Sequence, residues 1–137
     1  MQRFYAWTLC GLATAYLAAG TARAHDWTSA KEVARAAHFM ADRAEHFHEV
    51  IHDLDGYSHL AAAAHRLAAA AEHFHEAVEG GADYRHAIDD YVRLRQDYVH
   101  FRRDFRRAHE EHRDQHVVQD WDRLNAAFAD LDDAMGG

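Results

Sequence analysis

Apolar residues along this chain recur at alternating spacings of three and four, and they do so in four separate runs. The first run is Val33, Ala37, Met40, Ala44, Phe47, Ile51 and Leu54, and the second is Leu60, Ala64, Leu67, Ala71, Phe74 and Val78. The third is Tyr84, Ile88, Tyr91, Leu94, Tyr98, Phe101, Phe105 and Ala108, and the fourth is Val117, Trp121, Leu124, Phe128, Leu131 and Met135. Such a repeat gathers its members on one stripe of a helix, so each run predicts an amphipathic helix that packs at a shallow angle.

Turn signals separate the runs. Asp55-Gly56 is a helix stop, and Gly80-Gly81 leads into Asp83, a natural N-cap. Between the third and fourth runs the register breaks, because His112 and Gln115 stand where core residues would continue. A turn within 109–115 resolves this, with Asp114 as the next N-cap. Short connections force neighbouring helices to be antiparallel, so the expected fold is all-α, an up-down-up-down antiparallel four-helix bundle.

Ahead of the first run lies a different segment. Met1, Gln2 and Arg3 precede an apolar stretch from Phe4 to Gly20, which closes on Ala22-Arg23-Ala24, a small-x-small cleavage pattern. The stretch is interrupted by Thr8, Gly11 and Thr14 and is shorter than the ~20 strongly apolar residues of a spanning helix. Residues 1–24 read as an export signal cleaved after Ala24, leaving 25–137 as one domain in the periplasm or outside the cell, without stable membrane insertion. Cys10 goes with the signal, so neither a disulfide nor a thiolate metal site is expected in the remainder.

Losing Arg3 and Arg23 takes the formal charge from −8 to −10. That acidity argues against a nucleic-acid partner, and the run Arg102, Arg103, Arg106 and Arg107 reads as a solvated helix face. All 14 histidines of the chain lie beyond residue 24. Imidazole both binds transition metals and changes charge near neutral pH, so histidine abundance directs attention to these two properties.

Many of the histidines belong to a duplication. Ala44-Glu45-His46-Phe47-His48-Glu49 recurs 27 residues later as Ala71-Glu72-His73-Phe74-His75-Glu76, and Ala36-Ala37-His38 recurs as Ala63-Ala64-His65. Glu45-x-x-His48 and Glu72-x-x-His75 spell the motif of carboxylate-bridged di-iron bundles, which require inward glutamates. With Phe47 and Phe74 on the core stripe, those glutamates turn outward, and the di-iron reading is set aside. No Cys-x-x-Cys-His is present for covalent haem, no catalytic nucleophile stands out, and the chain reads as a binding protein, not an enzyme.

Helical spacing selects candidate metal ligands. His48 and His52 are four apart, as are His112 and His116 if the fourth helix starts early, and His109 and His112 are three apart. In an up-down bundle His52, His59, His109, His112 and His116 converge at one rim, among Asp53, Asp55, Glu110, Glu111 and Asp114. Cleavage after Ala24 also makes His25 a terminal amine-plus-imidazole chelate, with His86 at the same end as a helper. The candidate ligands are therefore His48, His52, His59, His109, His112, His116 and His25. His38 with Asp42, and His73 with Glu76, read only as weak surface pairs.

In composition and layout the chain resembles the small His-rich periplasmic metal-binding helical bundles, with a topology similar to the cytochrome b562-like fold. The resemblance implies reversible binding of copper, or of zinc or nickel, for buffering, delivery or detoxification, with homodimerisation and a delivery partner open. A second reading is an acid-responsive periplasmic chaperone or interaction module. Protonating all 14 histidines would carry the formal charge from −10 to +4. Clustering discriminates the two, since a metal protein needs histidines that converge.

Overall fold

The computed structural model of the protein describes residues 30–136. The expected signal segment 1–24, its cleavage point and His25 lie outside the described residues. Four helices account for nearly all of the described chain: α1 Ala30–His52, α2 Ala61–Glu79, α3 Tyr84–His112 and α4 Gln115–Ala134, with a short 3-10 turn at Ser58–Leu60 leading into α2. The molecule is an all-α four-helix bundle, and no helix among the described residues is long and apolar enough to cross a membrane.

The elements end where the local chemistry stops them. Asp83 caps α3 by accepting from the N–H groups of Arg85 (2.8 Å) and His86 (3.0 Å), and Asp114 caps α4 by accepting from His116 (2.8 Å) and Val117 (3.2 Å). The two amide donations hold the Asp83 carboxyl below its usual range. Arg113 takes the left-handed conformation at φ 46° and ends α3, its N–H reaching the His109 carbonyl at 3.1 Å.

The core is the four stripes folded inward. Val33, Met40, Phe47 and Ile51 of α1 join Leu67 and Phe74 of α2, Leu94, Phe101 and Phe105 of α3, and Val117, Leu124 and Leu131 of α4 in one continuous cluster. Phe47 sits at its centre, with ring centres 5.7 Å from Phe101, 5.5 Å from Phe105 and 5.8 Å from Trp121. Truncating such a buried ring costs about 3–5 kcal/mol through lost burial and the cavity left behind.

The two helix pairs pack differently. Ala37, Ala41 and Ala44 of α1 and Ala64, Ala68 and Ala71 of α2 are buried and small, and they let the backbones of α1 and α2 approach closely. Between α3 and α4 no Cα atoms come within 8 Å, and aromatic side chains fill the gap: Tyr98 stacks on Phe128 at 3.8 Å and Phe105 on Trp121 at 4.4 Å. The Tyr91 hydroxyl donates to Asp132 and that of Tyr98 to Asn125, satisfying the polar ends of rings whose bodies are buried. Contacts run in opposite directions along α1 and α2, with His38 against His75 and His48 against His65.

Candidate metal centre

Burial of Phe74 dictates where its neighbours go. On a helix each residue turns by about 100°, so with Phe74 in the core His73 and His75 emerge on opposite flanks. His75 faces α1, where its ring centre lies 5.0 Å from that of His38. His73 faces α3, where it meets Asp90 and His86.

His86 is in the first turn of α3, and Asp90 follows one turn later on the same flank. Nε2 of His86 lies 3.3 Å from Oδ2 of Asp90, and Nε2 of His73 lies 3.8 Å from Oδ1. The donor atoms of all three residues fall within 4.8 Å of one another. Asp90 is 5 % exposed, the one buried charged side chain among the described residues. Its Oδ2 has no partner in hydrogen-bond geometry, although the His86 ring stands nearby.

A carboxylate withdrawn from water, with one oxygen left without an aligned donor, is unfavourable unless a cation compensates it. Two imidazole nitrogens and a carboxylate oxygen are a donor set suited to a first-row divalent ion, which binds at about 2.0–2.2 Å and leaves an open position for water or an exchanging ligand. His73 and His86 are about half exposed, so the site is buried on its carboxylate side and open on its imidazole side. This group of three can hold a metal ion.

The rim expected near the first and third turns is arranged differently. His112 lies over Gly56, so closely that a Cβ added there would stand 2.6 Å from its ring, and it packs against Tyr57 at 5.7 Å. His109 stacks on Phe105 at 5.8 Å and shares a hydrogen bond of 3.3 Å with the Tyr57 hydroxyl, which also accepts from the Asp114 N–H. His112 ends α3 while His116 belongs to α4, so the turn at Arg113 and Asp114 breaks the helical spacing that an early fourth helix would have given them. His59 is exposed on the 3-10 turn, and His52 binds Asp53 at 2.8 Å. His48, His52, His59, His109, His112 and His116 are not drawn into a three-residue donor group of the kind that His73, His86 and Asp90 form.

Helical spacing alone gives His73 only a weak surface pairing with Glu76 and gives His86 to His25, and it does not single out Asp90. The available signal was the four-residue spacing of His86 and Asp90. Glu45, Glu49, Glu72 and Glu76 are exposed, as the outward phase of the duplicated motif required. Comparison with protein-family models, with curated proteins and with solved structures finds no match for this chain.

Proposed function

We propose that the protein is an exported metal-binding bundle that takes up a divalent transition ion reversibly through His73, His86 and Asp90, for buffering, delivery or detoxification. The observation that carries this reading is the buried Asp90 carboxylate, with an oxygen lacking an aligned hydrogen bond and two imidazole Nε2 atoms facing it. Copper is the first candidate cargo, because nitrogen and oxygen sites favour Cu(II) over the neighbouring divalent ions, with zinc and nickel next. The half-exposed histidines suit exchange with solvent or with a partner better than permanent retention. The role is binding and release, and the periplasm or the extracellular space is the compartment proposed.

Calorimetric titration with Cu(II), Zn(II) and Ni(II) tests this reading when repeated on a His73→Ala/His86→Ala variant and on a His109→Ala/His112→Ala variant. Saturable sub-micromolar binding that weakens in the first variant and persists in the second supports it. Titration curves identical in the wild-type protein and the His73/His86 variant overturn it.

A further inference from the structure

The duplicated half of the bundle contains a second gathering of histidines, separate from the α2–α3 centre. Just as Phe74 sends its neighbours to two interfaces, Phe47 sends His46 toward Asp120 of α4 (3.6 Å) and His48 toward His65 of α2. The ring of His48 lies 5.2 Å from that of His65 and 5.7 Å from that of His52, one turn further along α1. Two imidazoles bound to one tetrahedral ion at about 2.0 Å have ring centres about 5 Å apart, so both separations are close to those of ligands sharing an ion.

The donor atoms of the three rings do not all lie within 4.8 Å of one another, so closing on an ion requires the exposed side chains of His52 and His65 to turn toward His48. Nδ1 of His48 is buried without a hydrogen-bond partner, with Oε1 of Glu45 3.9 Å away. Nδ1 of His52 is held by Asp53 at 2.8 Å, the carboxylate–histidine pairing that fixes a ring with its other nitrogen outward. His65 is exposed on α2, and its side chain can turn without disturbing the core.

The duplication supplies an internal contrast. An offset of 27 residues maps His48, His65 and His52 onto His75, residue 92 and Glu79, while His38 of the first copy answers His65 of the second. At that other end His75 again meets a histidine, His38, but its third neighbour is the carboxylate of Glu79, 3.3 Å from Nε2. Only at the end containing His52 is the third neighbour another imidazole.

We infer that His48, His52 and His65 form a second metal site, an all-imidazole one that selects Cu(II) more strongly than the mixed site of His73, His86 and Asp90. The inference rests on the metal-binding reading but concerns different residues, so the two can fail separately. It follows from donor chemistry that three neutral nitrogens suit copper, while a carboxylate widens the range of ions accepted.

Cu(II) titration followed by electron paramagnetic resonance distinguishes the sites. The wild-type protein is expected to take up two ions, and a His73→Ala/His86→Ala variant one ion with a three-nitrogen hyperfine pattern. A His48→Ala/His65→Ala variant is expected to take up one ion with no more than two nitrogens. The single exposed change His65→Ala, with helicity checked by circular dichroism, should weaken the three-nitrogen species at least tenfold. Full retention of both ions in the His48/His65 variant, or no three-nitrogen signal in the His73/His86 variant, overturns the second site. An unchanged stoichiometry in the His73/His86 variant instead counts against the α2–α3 centre.

Discussion

Two histidine-rich places in this bundle use the same side chain for different ends. Near Gly56 the imidazoles of His109 and His112 are packing elements that cover a glycine, stack on Phe105 and surround the Tyr57 hydroxyl. Between α2 and α3 the imidazoles of His73 and His86 meet a buried carboxylate, one oxygen of which has no aligned donor. The rim is richer in histidine along the sequence, but its two best-placed rings already have apolar or hydroxyl neighbours. The α2–α3 group is the stronger candidate, because an unsatisfied buried acceptor carries a free-energy cost that a cation relieves, whereas a density of potential ligands along the sequence carries none.

The largest expected effect sharpens this contrast directly. Asp90→Asn should lower Cu(II) or Zn(II) affinity by about 100-fold or more, since even an outer-shell partner is worth about 10–100-fold. It should do so without lowering the melting temperature of the metal-free protein, because a buried charge is removed and the volume is kept. The same titration on a His109→Ala/His112→Ala variant should match wild type within about threefold, and a comparable loss there would erase the distinction between the two places.

Stability should respond in the opposite sense. Gly56 has φ 88° and lies against the His112 ring, so Gly56→Ala meets both backbone strain and a 2.6 Å contact. A loss of about 2 kcal/mol in urea unfolding is expected, with metal affinity unchanged. Combining it with His112→Ala should recover part of the loss by removing the clash, and a purely additive double variant would show that His112 does not press on this turn.

Tyr57→Phe is a milder probe of the same end. It removes the hydroxyl that joins His109 to the Asp114 N–H, at an expected cost of about 1 kcal/mol. Hydrogen exchange at the start of α4 should report the change before global unfolding does.

The smallest effect is read at high pH, far from either histidine group. Burial first, and then the bond and the charge of Asp132, push the Tyr91 hydroxyl above its ordinary range, and burial does the same to Tyr98. A folded-state value above the unfolded one of about 10 means the stabilisation is complete below that pH and is lost as pH rises through the folded value. Tyr91→Phe should flatten the alkaline limb of a stability–pH curve while leaving metal titration near neutrality as in wild type.

Much of the architecture was legible because it depends on local periodicity. Val33 through Ile51, Leu60 through Phe74, Tyr91 through Ala108 and Val117 through Met135 fall in the core as their spacing required, and Asp83 and Asp114 cap the helices they were assigned to. The outward phase of Glu45 and Glu72 was equally readable from the inward phase of Phe47 and Phe74. The candidate site was less legible. Spacing alone singles out His48 and His52, whereas it cannot bring His73 and Asp90 together, since they lie on different helices and meet only across an interface.

The amino-acid sequence by itself determined four amphipathic helices, their main stops and caps, and a duplicated His-Phe-His segment whose phenylalanine must face inward. Those outcomes follow from a turn of about 100° per residue and from the burial of apolar surface, both of which act within a single helix. Only the tertiary structure decided which flank of each phenylalanine faces which neighbour. That choice sends His73 to Asp90 and His75 to His38, shuts Asp90 away from water, and occupies His109 and His112 with Tyr57. The physical reason is that helical phase is local, whereas the burial of a charge and the convergence of ligands depend on the helix packed alongside.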